Sequence, residues 1–273
     1  MSETRRTDSA PIAASTVILV RDCARTGGLE VFLVERHREI AFAGGATVFP
    51  GGKVHPSDSS STLRGHCRGS EALDHDALAL RVAAIRESFE ECGILLARPR
   101  APVAGEALVS AARLADLWKR YRAPLARHAL SIEEFVEQEN LELACDLLVP
   151  FAHWITPEGL PKRFDTHFFL VLAPHDQVAA HDGHELVGAR WLTPGEALAE
   201  ADAGRRSIIF PTRMNLAKLG RSASTAQALA AARAHPVVTV LPRVDWRAGG
   251  AVLRIPPEAG YDVVEAPVDG AGR

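Results

Sequence analysis

The sequence lacks the features that would mark it for nucleic acid, for a membrane or for an oxidising compartment. Its formal net charge is −3, so it has no surplus of basic residues for a nucleic-acid backbone. No apolar run is long enough to span a bilayer, and the first ten residues are polar with no signal-peptide pattern. We therefore expect a cytoplasmic protein with a small-molecule partner and neither a nucleic-acid nor a membrane partner, either monomeric or a homodimer.

Cysteine is also scarce. The four cysteines show no C-x-x-C spacing and are too few for a disulfide framework in a chain of 273 residues. The histidine pair within 181–184 lacks the third and fourth ligands of a zinc site. The sequence therefore predicts neither disulfides nor zinc.

The sequence does contain a dense group of acids in the run Arg-Glu-Ser-Phe-Glu-Glu-Cys-Gly-Ile at 86–94. Glu87, Glu90 and Glu91 are spaced i, i+3 and i+4, so on a helix they share one face and repel each other. Divalent cations such as Mg²⁺ bind carboxylates together with the oxygens of a phosphorylated substrate. Taken alone, the spacing also fits a solvated acidic helix face.

A second motif lies upstream, where the apolar residues Val48 and Phe49 run into Pro50-Gly51-Gly52. This pattern predicts a strand that enters a turn where the backbone is open to a ligand. Together the two motifs resemble the nudix box, in which a glycine is followed after five residues by an acid and later by Arg-Glu-x-x-Glu-Glu-x-Gly. Gly52, Asp58 and the run at 86–94 match this pattern.

The match departs from the family pattern at three points. Ser88 replaces an apolar residue, Asp58 replaces the usual glutamate, and 27 residues (59–85) fill a gap that normally holds seven. An insertion of this kind is found in the branch typified by peroxisomal coenzyme A diphosphatases, which the chain resembles from about residue 12 to 220. The similar segments outside the helix are 33–36, 42–52, 153–157, 163–169 and 189–194.

The resemblance implies an α/β fold, the nudix-type α/β/α sandwich with a mixed β-sheet. We expect a nudix domain at 1–220 whose box, 52–94, contains the insertion at 59–85, a helical insertion at about 106–149, and a C-terminal extension at 221–273. Periodicity and turn residues predict further elements. They are a hairpin of 12–20 with 29–35, an irregular loop at 56–70, a helix at 74–92 ending at Gly93, strands at 168–172 and 186–192, a helix at 194–203 capped by Thr193, helices after Pro211 and Ser222, a hairpin of 237–241 with 251–255, and disorder at 266–273.

The nudix resemblance also implies a metal site. We expect Glu90 and Glu91 to bind Mg²⁺ or Mn²⁺, with Glu87 as a further ligand or as the base that activates water. The carbonyl of Gly51 or Gly52 is a candidate to complete the metal's ligands. Divalent ions at such a site neutralise phosphate charge and activate the attacking water.

The other site residues are assigned less directly. Arg86 can pair with the carboxylate one turn further on, and the resemblance implies that it orients carboxylates rather than binding substrate. The general base is either a box glutamate or Glu185, whose alternative is a solvated loop acid. Asp58 is a candidate to cap or orient the box loop. Three cations are candidates for binding substrate phosphate, with surface ion pairing as the alternative for each: Arg36, Lys53 and Arg163.

Three functions are compatible with these residues. The first is a metal-dependent diphosphatase that cuts coenzyme A or acyl-coenzyme A into 3',5'-ADP and (acyl)phosphopantetheine, a choice made by resemblance to the branch with the inserted box. The second is the same chemistry on ADP-ribose, NADH or another nucleotide. The third is a nudix-like binding or regulatory module without catalysis, which the intact glutamate triplet disfavours.

Overall fold

A computed structural model describes residues 9–23, 27–39, 43–100, 107–179, 186–247 and 250–267. Its strands are β1 (Ile12–Asp22), β2 (Leu29–Arg36), β3 (Ala46–Val48), β4 (Gly51–Lys53), β5 (Ala97–Pro99), β6 (Leu141–Leu143), β7 (Val149–Ile155), β8 (Phe164–Leu172), β9 (Leu186–Leu192), β10 (Ser207–Ile208), β11 (Thr239–Val240), β12 (Arg243–Arg247), β13 (Gly250–Arg254) and β14 (Glu265–Pro267). The α-helices are α1 (His75–Cys92), α2 (Ala111–Ala126), α3 (Ile132–Gln138), α4 (Pro194–Asp202), α5 (Phe210–Leu219) and α6 (Thr225–Ala234).

A mixed sheet forms the centre of the fold. Its strand order is β10-β3-β2-β1-β8-β7-β11, with β4 also paired to β1 and β9 to β2. Strands β1 and β2 are antiparallel, as predicted for the hairpin, whereas β1 and β8 run parallel from Ile12↔Phe164 to Val20↔Leu172. The predicted mixed sheet is therefore confirmed.

Both faces of this sheet are buried, which explains the apolar character of its central strands. In β1, Val17 and Leu19 pack into one hydrophobic cluster with α1, α2 and α3. The alternate residues Ile18 and Val20 pack into a second cluster with α5 and α6. The predicted α/β/α sandwich is confirmed by this arrangement.

In the described part of the chain, no helix combines the length and the apolar character needed to cross a membrane.

Helix α1 begins and ends where its sequence predicts. The Asp74 side chain caps its first turn by accepting the amide of the third helical residue at 2.7 Å. Gly93 ends it with a left-handed φ of 67°, and the amides of Gly93 and Ile94 donate to the carbonyls of Phe89 and Ser88 at 3.1 and 3.3 Å. These local signals place the three glutamates on the last two turns of α1.

The insertion in the nudix box contains more regular structure than the sequence predicts, and the later insertion is helical as predicted. The predicted irregular loop at 56–70 contains two 3-10 helices, Pro56–Ser59 and Ser61–His66, because Asp58 and Leu63 are buried against the rest of the fold. Helices α2 and α3 confirm the helices predicted for about 106–149. They pack on α1, where the Phe89 ring lies 5.4 Å from the Phe135 ring.

The C-terminal extension corrects two predictions. The predicted hairpin of 237–241 with 251–255 is wrong, because β11 pairs in parallel with β7 and the partner of β13 is β12. Only residues 248 and 249 separate β12 from β13, and so short a connection joins immediately adjacent segments. The disorder predicted from 266 is wrong for Ala266 and Pro267, which belong to β14; residues 268–273 lie outside the described residues.

Candidate active site

Two of the three glutamates of α1, Glu87 and Glu91, lie against the glycines that begin β4. The amide of Gly51 donates to Glu91 Oε2 at 2.9 Å. A Cβ at Gly52 would lie 2.3 Å from Glu87 Oε1, so the carboxylate of Glu87 lies directly against the strand. Glu90 and Glu91 are each only 7% exposed. The fold thus brings together the two motifs that the sequence singled out.

Arg86 is the cation among these acids. Its Nε and Nη2 donate to the two oxygens of Asp58 at 2.9 and 3.0 Å, and Nη2 also donates to the Lys53 carbonyl at 2.9 Å. Its Nη1 donates to Glu87 at 3.0 Å and to Glu90 at 3.2 Å. The guanidinium therefore orients two box carboxylates, Glu87 and Glu90, and is itself held by both oxygens of Asp58.

Burial and neighbouring charges shift the pKa values of the ionisable groups in this cluster. The pKa of Glu90 is raised to about 7, because burial and the negative charge of Glu87 outweigh the attraction of Arg86. Burial lowers the pKa of Arg86, but the charges of Glu87, Asp58 and Glu90 outweigh burial and raise it. One guanidinium thus faces several carboxylates. Their oxygen atoms form the donor set that suits Mg²⁺ or Mn²⁺, and such an ion would favour ionised Glu90.

A cavity of about 1330 Å³ lies next to this cluster. Its lining includes the three glutamates together with Arg36, Lys53 and Arg122. The lining also includes apolar residues from the sheet, from α5 and from the C-terminal strands. These apolar residues are Trp154, Phe164, Phe168, Phe210, Val244 and Leu253. The cavity lining therefore offers cations to the anionic groups of a ligand and apolar residues to its hydrocarbon portion.

The predicted phosphate-binding cations differ in their placement. Arg36 and Lys53 line the cavity, and the buried Nε of Arg36 has no hydrogen-bond partner among the described residues. Arg163 is not among the lining residues. Its guanidinium donates to the carbonyls of Thr156 and Ser9 at 3.1 and 3.2 Å, a structural role that gives the predicted substrate contact no support. Glu185 lies outside the described residues.

The helical insertion adds residues that the sequence did not single out. Arg122 on α2 donates from Nε to the Glu90 carbonyl at 2.8 Å and lines the cavity. His128 also lines it, with a left-handed φ of 53°, and its ring stacks on that of His55 at 4.0 Å. Of these residues only His55 could have been singled out from the sequence, because it lies three residues after Gly52. The contacts of α2 arise from tertiary packing and leave no signal in the sequence.

A family model described as the NUDT19 Nudix domain matches residues 64–219, more than half of the chain. The chain belongs to this family. The match begins within the insertion of the nudix box and includes all of α1. The resemblance predicted from the box is therefore confirmed, including its branch.

Curated relatives of this NUDT19-family chain include two named acyl-coenzyme A diphosphatase NUDT19. The human protein is 29% identical over 211 residues, 62% of this chain and 55% of that protein. The Gallus gallus protein is 30% identical over 212 residues, with the same two shares of 62% and 55%. Putative nudix hydrolase 7 of Caenorhabditis elegans is 26% identical over 215 residues, 79% of this chain and 62% of that protein. The chain thus spans a little over half the length of these relatives.

One solved structure supports the fold over most of its length. The NUDIX hydrolase from Alicyclobacillus acidocaldarius superposes with a TM-score of 0.66 at 28% identity. The superposition covers 81% of this chain and 96% of that one. The nudix fold predicted from the box is confirmed by this similarity.

Proposed function

We propose that this member of the NUDT19 Nudix domain family is a metal-dependent diphosphatase that acts on coenzyme A or acyl-coenzyme A. The observation that carries the proposal is a cluster of two buried glutamates, Glu90 and Glu91, with the partly buried Glu87 beside a cavity of about 1330 Å³. Arg86 holds Glu87 and Glu90 by hydrogen bonds. An acidic face that served only solubility would lie in solvent and would not need a glycine beside it.

In the proposed site, Glu90 and Glu91 hold Mg²⁺ or Mn²⁺, with Glu87 as a further ligand and the carbonyl of Gly51 or Gly52 beside them. The observations that fit an ion are the all-oxygen donor set, the raised pKa of Glu90 and the absence of a side chain at Gly52. When bound, the ion supplies neutralisation of phosphate charge and activation of water.

The reaction adds one water across the phosphoanhydride. An oxygen–phosphorus bond forms to the water, the bridging P–O bond breaks, and the products are 3',5'-ADP and (acyl)phosphopantetheine. Arg36 and Lys53 bind the phosphates, and this role is supported by the Arg36 Nε, for which the described part of the chain supplies no hydrogen-bond partner. For the proton of the water the proposal names two acceptors, a box glutamate and Glu185. Separate Glu87→Gln and Glu185→Gln variants identify the acceptor by which one loses the acidic limb of the pH profile, where a protonated base stops the reaction.

The apolar residues that line the cavity favour a coenzyme A thioester as substrate over a wholly polar nucleotide. Val244 and Leu253 from the C-terminal strands line the same cavity as Trp154 and Phe164 from the sheet. These apolar residues suit the pantetheine arm and an acyl chain, and two relatives carry the name acyl-coenzyme A diphosphatase. The C-terminal extension is thereby proposed to take part in substrate selection.

A substrate panel tests the proposal. The purified chain is assayed with Mg²⁺ or Mn²⁺ against coenzyme A, acyl-coenzyme A, ADP-ribose and NADH, beside the variant Glu90→Gln. The proposal expects the coenzyme A compounds to be cut best and Glu90→Gln to be inactive. A tenfold preference for ADP-ribose, about 1.4 kcal/mol, would overturn the substrate choice. No turnover of any compound would favour the binding module.

A further inference from the structure

A second group of metal-binding side chains lies on β7 and β8, outside the nudix box. His153 and His167 are directly opposite each other on these antiparallel strands, and their rings stack with centroids 3.9 Å apart. Asp165 precedes His167 by two residues and therefore lies on the same face of β8. One ligand atom from each of the three side chains lies within 4.8 Å of the other two. The strand register alone thus assembles two imidazoles and a carboxylate.

Hydrogen bonds already orient these groups. The His153 Nδ1 shares a hydrogen bond of 2.8 Å with the hydroxyl of Thr239 on β11, and its Nε2 contacts the carboxylate of Asp165. The Nε2 of His167 is 3.7 Å from the same Asp165 oxygen. A polar partner on the outer nitrogen is the usual support for a histidine that binds metal through the other nitrogen. Thr239 is in that position.

We propose that His153, Asp165 and His167 bind one zinc ion, or a related borderline transition-metal ion, at a site separate from the nudix box. Two imidazoles with a carboxylate suit such ions, whereas Mg²⁺ prefers oxygen ligands only. Three protein ligands would leave one position for water. Metal–ligand bonds of about 2.0–2.2 Å bring ligand atoms to roughly 3.4 Å from each other in a tetrahedron, a change that small side-chain rotations supply.

The site is open to solvent and lies behind the proposed active cavity. The side chains of His167 and Asp165 are 33% and 36% exposed, so an ion can reach them. Side chains alternate along a strand, and the neighbours Trp154 and Thr166 line the cavity on the other face of the sheet. A bound ion would link β7 to β8 on the face of the sheet opposite Trp154 and Thr166. It would stabilise the fold without taking part in the hydrolysis.

Zinc binding to the full chain tests the site directly. Zn²⁺ is titrated calorimetrically in excess Mg²⁺, which occupies the oxygen-only box site, and Co²⁺ absorption reports a site with nitrogen ligands. We expect one Zn²⁺ per chain and a higher melting temperature with zinc. Asp165→Asn and His167→Gln are expected to abolish binding at the same zinc concentration. Glu90→Gln serves as the control and should bind zinc as the wild type does.

The result that would overturn the site is the absence of zinc binding, or binding that survives both Asp165→Asn and His167→Gln. Such a result would mean that His153, Asp165 and His167 only hydrogen-bond to each other and do not form a metal site. Circular dichroism checks that each variant is folded. Should a ligand variant unfold, Thr239→Val decides, because loss of the supporting hydroxyl is expected to weaken zinc binding by about 10- to 100-fold. Unchanged zinc affinity in Thr239→Val would then count against the site.

Discussion

Replacing Gly52 with alanine is expected to lower activity about 100-fold while leaving the fold intact. The new Cβ would lie 2.3 Å from Glu87 Oε1 and 2.5 Å from its Cδ, whereas ordinary contacts begin near 3.4 Å. The carboxylate must therefore retreat by about 1 Å, and a misplacement of that size costs about 100-fold in rate. This loss corresponds to about 2.7 kcal/mol of transition-state stabilisation. Because the end of a flexible side chain gives way, the free energy of unfolding should change by less than about 1 kcal/mol.

The assay combines initial rates of coenzyme A hydrolysis with urea unfolding of the same preparations. Gly51→Ala is the matched control, because its φ is 155° and its Cβ would lie 2.3 Å from the Ser15 carbonyl oxygen, where no side chain can move aside. We expect Gly51→Ala to lose stability as well as activity. A wild-type rate for Gly52→Ala, or a loss of stability equal to that of Gly51→Ala, would refute the reasoning.

Three further predictions concern α1. Gly93→Ala should lower the free energy of unfolding by about 1–2 kcal/mol, because alanine is strained at a φ of 67° and its Cβ would lie 2.9 Å from the Trp118 ring; an unchanged urea midpoint would contradict this. Ser88→Ala should leave that free energy unchanged or raise it by up to about 1 kcal/mol, since the buried hydroxyl has no partner among the described residues; calorimetric melting checks it, and a clear loss would be contrary evidence. The affinity for Mg²⁺ should fall by up to about tenfold per unit as the pH drops below about 7, because the proton on Glu90 must leave before an ion binds. Isothermal titration over pH 5.5–8, a range of roughly one and a half units below and one above that pKa, measures this, and a flat profile would contradict it.

The sequence predicted those parts of the site that depend on local signals. Helix α1 follows from its apolar period and from Gly93 at its end, and together these set the positions of the glutamates. The pairing of Arg86 with Glu90 follows from the same helical spacing. The bidentate pairing of Arg86 with Asp58 spans 28 positions and required the fold. The sequence predicts that Asp58 caps or orients the box loop, and its carboxylate does accept the amide of His55 at 2.8 Å.

Contacts between distant elements could not be predicted from one sequence. Arg122 reaches the box because α2 packs beside α1, and nothing in the spacing of α2 indicates that packing. The hairpin error arose because 237–241 and 251–255 have similar composition, whereas the two-residue connection after β12 decides the pairing. His153 and His167 are 14 positions apart and meet only through the register of β7 with β8. The other histidine pair that was weighed as a zinc site lies within 181–184, outside the described residues.

The most direct test of the metal-dependent diphosphatase is the release of 3',5'-ADP from coenzyme A by one preparation of the wild type and one of Glu90→Gln. Each is measured with Mg²⁺, after removal of metal with EDTA, and after Mg²⁺ is restored. We predict turnover that stops with EDTA, returns with Mg²⁺, and is absent in Glu90→Gln at every stage. Release of 3',5'-ADP that persists in EDTA, or that Glu90→Gln sustains at the wild-type rate, would contradict the assignment of the box carboxylates.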